Sequence, residues 1–173
     1  MQKKVAMRGS SAISRRDQGR ECMKKMMTVL IVLTLITGFL SVAYAQFDKP
    51  EDAIQYRQSV MFLIGQHFGR MAAVVKGQSP YDKAAFEQNA AIVDTLATLP
   101  WEAFMVPGTD KGKTGLKSSA FKEKDKFMQD AKKMEAETAK LAETAQTGDL
   151  DAIKAQFGKT GKSCKSCHED FRK

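Results

Sequence analysis

From residue 50 onward the apolar positions recur every three or four residues, and the rhythm breaks at prolines and glycines. That periodicity is helical, not alternating. The first predicted helix starts near Asp48 and Pro50, a capping residue with a first-turn proline, and runs to about Lys76, where Gly77 stops it. Its stripe is Ala53, Tyr56, Val60, Met61, Ile64, Phe68, Met71 and Val75. The second runs from Tyr81 or Asp82 to Leu99, with Phe86, Ala90, Val93 and Leu96 inward, and ends at Pro100. A Gly-, Lys- and Thr-rich connection over residues 100–117 follows, long enough to cross one face of a bundle. The third opens at Ser118 or Ser119 and closes at Thr147-Gly148, showing Phe121, Lys124, Met128, Ala131, Met134 or Glu135, Thr138, Leu141 and Ala145; its charged members blur the stripe. Asp149 caps the fourth, whose inward set is Leu150, Ile153, Phe157, Gly161, Cys164, His168 and Phe171. The expected fold is an all-α antiparallel four-helix bundle with one core.

Upstream the pattern is different. Residues 28–40 are mostly apolar, follow Lys24-Lys25 and precede Ala43-Tyr44-Ala45, the layout of a secretory signal peptide cleaved after Ala45. Thirteen residues fall short of the roughly twenty that span a bilayer, so no stable membrane span is expected after processing. Residues 1–22 are polar, and Met23 makes a good start for a compact signal, so translation is expected to begin there. Arg15-Arg16 is a weak twin-arginine signal, separated from the apolar run by Asp17 and Glu21. Cys22 leaves with the leader. The domains expected are 1–45, removed, and 46–173, a four-helix domain.

Charge follows the same division. The chain carries 28 basic and 20 acidic residues, net +8, but eight of the basic and two of the acidic lie in residues 1–45, so 46–173 keeps only +2. No basic stripe with interleaved aromatics remains, and nucleic acid is not an expected partner. Lys122-Glu123-Lys124-Asp125-Lys126 reads as a solvated helix face.

The chemistry is concentrated at the C-terminus, in Cys164-Lys165-Ser166-Cys167-His168. Cys-x-x-Cys-His is the attachment motif of haem c. On a helix, residues three and four apart share a face, so Cys164 and Cys167 reach the vinyl groups of one porphyrin while His168 offers its imidazole to the iron. A redox dithiol needs a thiolate stabilised at a helix N-terminus, whereas this pair sits near a helix C-terminus and leaves the histidine without a role. Structural zinc needs a fourth ligand, and the only other histidine, His67, lies in the first predicted helix with no second cysteine pair to join it.

The bundle with this motif at its end, together with Tyr56-Arg57-Gln58, Gln66-His67-Phe68-Gly69-Arg70-Met71, Val75-Lys76-Gly77, Pro80-Tyr81-Asp82, Leu99-Pro100-Trp101, Phe104 and Pro107-Gly108-Thr109, resembles cytochrome c′, the class II c-type cytochromes. The resemblance implies one covalent haem c per chain, a homodimer through the first two helices, periplasmic localisation and periplasmic redox partners. It makes His168 the proximal ligand, Met61 the distal cover, Arg57 and Gln58 haem contacts with Arg57 facing a propionate, and Arg172 a basic residue of the proximal pocket. Thr114 also carries over as a haem contact, although this chain has one extra residue around Met105-Val106. Guanidinium suits a buried propionate by its fork geometry.

Met61 leaves two readings open. As an apolar filler it leaves a five-coordinate iron that binds nitric oxide or carbon monoxide and takes part in electron transfer; as a thioether ligand it completes a His168/Met61 set in a low-spin electron carrier. The surrounding residues resemble the five-coordinate branch. His67, nearly two turns from Met61, is expected at a surface or interface, and Trp101 and Phe104 cover a haem edge or pack the core. No distal histidine or arginine pair is apparent for O–O cleavage, and no enzymatic activity is expected.

Overall fold

The computed structural model describes residues 47–173. The signal peptide, the Met23 start, Cys22 and the cleavage after Ala45 lie outside them. Six helices occur among the described residues: α1 (Pro50–Val75), α2 (Lys83–Ala97), α3 (Trp101–Phe104), α4 (Ser119–Lys122), α5 (Lys124–Thr147) and α6 (Leu150–Phe171). The long four, α1, α2, α5 and α6, form the antiparallel bundle, while α3 and α4 are single turns within and after the crossover.

Local chemistry sets most boundaries as expected. Pro50 occupies the first turn of α1, although the residue ahead of it, Lys49, provides no side-chain cap and Asp48 does not serve as one. α1 ends in a Schellman turn: Gly77 adopts φ 71°, and Gln78 N–H and Gly77 N–H donate to the Ala73 and Val74 carbonyls. Asp82 caps α2 by accepting from Ala85 N–H at 3.0 Å. Gly148, at φ 73°, closes α5, and Asp149 then accepts from the Asp151 and Ala152 amides to start α6.

Three core assignments differ from the periodicity. In α2, Ala97 is fully buried and Leu96 only partly. The third predicted helix is broken at Glu123 (φ −114°, ψ 44°), which resets the phase, so Phe127 is buried in place of Lys124 and Met128. In α6 Ile153 and Phe171 are buried as expected, but the buried residues between them are polar: Gln156, Thr160 and Ser163. Thr160 Oγ1 lies 3.0 Å from both the Gln156 and Glu137 carbonyl oxygens, Ser163 Oγ donates to Thr160 O at 2.7 Å, and Gln156 Nε2 donates to the Glu137 carboxylate at 2.7 Å. Small side chains bonded in this way allow close approach without orphaned polar atoms.

The expected stripe of Phe157, Gly161, Cys164 and His168 is therefore not the core face of α6; it points toward α1 instead. Phe157 stacks on Phe68 of α1 with ring centroids 4.1 Å apart, over Gly161. Beyond that stack the two helices meet sparsely, while α1–α2, α2–α5 and α5–α6 pack along their lengths. The gap between α1 and α6 is the site.

Leu141 is fully buried in α5, whereas Leu99 is 39% exposed. Leu141→Ala is expected to cost about 2–5 kcal/mol by cavity formation and Leu99→Ala within about 0.5 kcal/mol, measured by urea unfolding.

Candidate haem site

The gap holds a cavity of about 520 Å³, within the range of roughly 300–1,000 Å³ usual for ligand and cofactor sites. Its α6 wall carries Cys164, Cys167 and His168, the first two half-buried and the third exposed toward the opening. Met61, Ile64 and Phe68 from α1 form part of the opposing wall. Trp101 and Phe104 from α3, Phe127 from α5 and Phe171 from α6 form an aromatic corner, with Phe127 5.2 Å from both Phe104 and Phe171.

Helix geometry brings the two thiols and the imidazole to one wall, and the electrostatics distinguish their chemistry. Burial pushes both thiols up, Cys167 to about 11, aided by nearby Asp130. Such thiols are poor thiolates, which disfavours a redox dithiol. His168 is shifted the other way: desolvation, then the Arg172 guanidinium, lower its pKa and favour the neutral imidazole that can ligate a metal.

Arg57 is where the structure departs most from the expected geometry. The residue is 2% exposed, and its fork is spent on the protein: Nη1 donates to Ala103 O (3.1 Å) and Thr109 Oγ1 (2.8 Å), and Nη2 donates to Thr109 O and Thr114 Oγ1 (2.7 Å). Its carbon Cζ also lies 4.7 Å from the Phe104 ring centre. Burial lowers its pKa to about 10, partly offset by Asp110, so it remains a cation at neutral pH. No carboxylate among the described residues forms a salt bridge with it. The fork therefore anchors the connection, and the charge alone faces the cavity.

Gln58 behaves similarly, lining the cavity while its amide donates to Lys113 O at 3.0 Å. Thr114 takes up both Arg57 Nη2 and the Leu116 amide. The connection then docks the end of α6, with Leu116 bridged to Arg172, Lys117 N–H donating to Phe171 O and Lys173 N–H to Gly115 O. Arg172 lines the cavity beside His168. His67 is elsewhere, its Nδ1 2.8 Å from Asn89 Oδ1 of α2.

These residues fit a haem: two adjacent thiols and a neutral imidazole on one wall, Met61, Ile64 and Phe68 opposite, and a buried cation with no salt-bridged carboxylate among the described residues. The family model for cytochrome c′ matches residues 52–172. The chain belongs to the cytochrome c′ family. It is similar to cytochrome c′ of Alcaligenes xylosoxydans xylosoxydans, 48% identical over 89 residues, covering 49% of this chain and 69% of that protein. Among solved structures, cytochrome c prime from Shewanella frigidimarina is 39% identical with a TM-score of 0.72, covering 73% of this chain and 98% of that one. A nitric oxide complex of a mutant cytochrome c prime from Alcaligenes xylosoxidans is 45% identical with a TM-score of 0.69 over the same shares. As a member of this family the chain is a haem c protein.

Sequence reasoning missed Thr109, fully buried and twice bonded to Arg57, and Phe127. Thr109 lay in the quoted Pro107-Gly108-Thr109 segment, but nothing in its local pattern marks a partner 52 positions away.

Two measurements check this geometry. Thr109→Val keeps the shape and deletes a buried hydroxyl, and is expected to cost about 1–3 kcal/mol in denaturant unfolding. In chain prepared without haem, Cys167, at about 11, is expected to alkylate at pH 8 on the order of a hundredfold more slowly than a thiol of ordinary pKa. The rate should climb as pH rises toward that value.

Proposed function

We propose that the chain acts in the periplasm, after removal of residues 1–45, as a haem protein that binds nitric oxide or carbon monoxide at a five-coordinate iron and exchanges electrons with periplasmic redox partners. The observation that carries this reading is one cavity with two thiols and an imidazole on its α6 wall and Met61, Ile64 and Phe68 on the wall opposite. Haem bound there would supply a redox-active iron able to take a gas ligand. Cys164 and Cys167 would hold the group by thioether bonds, and His168 would ligate the iron through its neutral ring.

Met61 covers the distal side with a flexible thioether and offers no N–H or O–H to a bound gas. That favours nitric oxide and carbon monoxide over dioxygen, whose polarised form needs a donor. Solved relatives 45% identical, one a nitric oxide complex and one with carbon monoxide bound, support the gas ligands and disfavour an iron closed by a His168/Met61 pair. The role is binding and electron exchange, not enzymatic turnover: His67 is turned to Asn89, and the Arg57 fork is committed to the connection. A homodimer through α1 and α2 is supported by Phe62 and Leu63, exposed by 64% and 43%.

The test is the optical and EPR spectra of the haem-loaded protein, ferric and ferrous, with and without nitric oxide. High-spin spectra that change with the gas, and stay high-spin in Met61→Ala, are expected. A low-spin spectrum with a thioether–iron band, converted to high-spin by Met61→Ala, would establish the electron-carrier alternative. Cys164→Ser with Cys167→Ser is expected to abolish the covalent haem read by pyridine haemochrome.

A further inference from the structure

Charge is spread unevenly along the domain. Segments 110–117 and 171–173 hold Lys111, Lys113, Lys117, Arg172 and Lys173 against Asp110, net +4, while the rest of 46–173 holds 15 basic and 17 acidic residues. The two segments are neighbours in space. Lys117 N–H donates to Phe171 O at 2.8 Å, Lys173 N–H donates to Gly115 O at 2.8 Å, and Leu116 forms an antiparallel bridge with Arg172. The Asp110 carboxyl is held below the usual carboxylate range by the Ser118 hydroxyl and, less strongly, by Lys111 and Lys173, so these two cations also belong to the corner.

Little within the domain neutralises this corner. The carboxylates at the end of α6 are bridged to other cations, Asp170 to Lys126 and Glu169 to Lys165. Lys117 Nζ donates to the Glu169 and Asp170 backbone carbonyls and Lys173 Nζ to the Asp110 carbonyl, bonds that fix the ammonium groups without cancelling their charge. Lys111, Lys113, Arg172 and Lys173 are exposed, and Thr114, Gly115, Leu116 and Arg172 line the cavity, so the corner borders the candidate haem site. It carries no apolar anchor: Leu116 and Phe171 are buried, and Phe62, Leu63 and Leu99, the exposed large hydrophobics among the described residues, lie outside both segments. A cationic patch without side chains to insert suits an acidic protein surface better than a bilayer.

We propose that Lys111, Lys113, Lys117, Arg172 and Lys173 form the docking face for an acidic redox protein, beside the cavity from which electrons would pass. The inference rests on the electron-exchange reading above and gives the partner its charge. Such a face steers encounter over about one Debye length, roughly 10 Å at 0.1 M salt, and acts on the association rate more than on affinity. Its members are not equivalent. The Lys117 ammonium also ties the connection to the carbonyls at the end of α6, whereas the Lys111 and Lys113 side chains make no hydrogen bond or salt bridge among the described residues and serve the face alone.

The test is the second-order rate at which the haem-loaded ferrous protein reduces an acidic blue-copper protein, followed by stopped flow at low and high salt. Raising ionic strength from about 10 to about 200 mM is expected to slow wild type about tenfold. Lys111→Glu with Lys113→Glu is expected to lower the low-salt rate about tenfold and flatten its salt dependence, with haem content unchanged and the rate to a basic blue-copper protein undiminished. Lys154→Glu with Lys159→Glu makes the same change in net charge on exposed positions toward the other end of α6, and is expected to leave the rate within about twofold. Equal losses in the two pairs, equal losses with acidic and basic acceptors, or a salt-independent wild-type rate each overturn the docking face. So does binding to phosphatidylglycerol vesicles that Lys111→Glu with Lys113→Glu abolishes while the rate to the acidic copper protein is unmoved, a result that assigns the face to a lipid surface. Hexacyanoferrate separates this inference from the reading beneath it: ferrous protein that fails to reduce that small oxidant overturns electron exchange itself, whereas full reaction with it, and no response of the acidic acceptor to the variants, overturns only the face.

Discussion

A cation placed where water cannot reach it must be satisfied by what surrounds it, and Arg57 imposes that requirement on half the molecule. Desolvating a guanidinium is expensive unless its donors are taken up. Here they are taken up by Ala103 in α3, Thr109 in the middle of the crossover and Thr114 near its end. Three points of a Gly- and Lys-rich segment are thereby pinned to one side chain of α1. The consequence extends further, because Thr114 also accepts from Leu116 N–H, Leu116 bridges to Arg172, and Lys117 N–H donates to Phe171 O. α1 and the last turn of α6 touch little directly, yet this path through the connection fixes the imidazole of His168 relative to Met61.

The same spacing explains why one helix carries two kinds of stripe. Toward α5, α6 presents Gln156, Thr160 and Ser163, whose polar atoms are satisfied within the helix or on Glu137, so the two backbones approach closely. Toward α1 it presents Phe157, Gly161, Cys164 and His168. Phe157 and Phe68 stack nearly parallel, face to face, and act as the closed end of a wedge. Past them the helices stay apart, and the cavity is what lies between them. A bundle built this way leaves part of its core to the cofactor, so binding the cofactor and stabilising the fold are linked.

Much of the fold was legible because its punctuation is local. Gly77, Asp82, Gly148 and Asp149 act on the backbone within a few residues, and each does in the structure what its chemistry implies. That Cys164, Cys167 and His168 share one wall was legible for the same reason, since they lie within one turn of a helix. What the sequence could not disclose was phase across a break and partnership across distance. Once Glu123 interrupts the helix, a stripe counted from Phe121 no longer identifies Phe127. Nor does the residue type of Arg57 reveal how its fork is used: guanidinium suits a propionate and a set of carbonyls equally well, and only the fold shows that Thr109 and Ala103 reach it first. The polar stripe on α6 was hidden because polarity was equated with exposure, an equation that fails for side chains able to bond to their own helix.

These constraints leave the cavity with an uneven distribution of charge, and that unevenness bears on its chemistry. Arg57 and Arg172 line it from different parts of the chain, while Met61, Ile64 and Phe68 offer the interior no donor or charge. A porphyrin is itself divided in this way, with carboxylates on one edge and an apolar macrocycle elsewhere, so two guanidinium groups and an apolar wall match its polarity. The Arg172 guanidinium and desolvation both disfavour the imidazolium form of His168, so the ring can meet iron without first surrendering a proton. On the opposite side, a thioether and hydrocarbon wall excludes water without offering a hydrogen bond, so a small uncharged ligand meets little polar competition there while a charged one meets a desolvation cost. The stretch of the α1 wall from Met61 to Phe68 thus offers no charge or hydrogen-bond donor from its lining side chains, and the polar lining residues of the same helix, Arg57 and Gln58, are bonded to the connection.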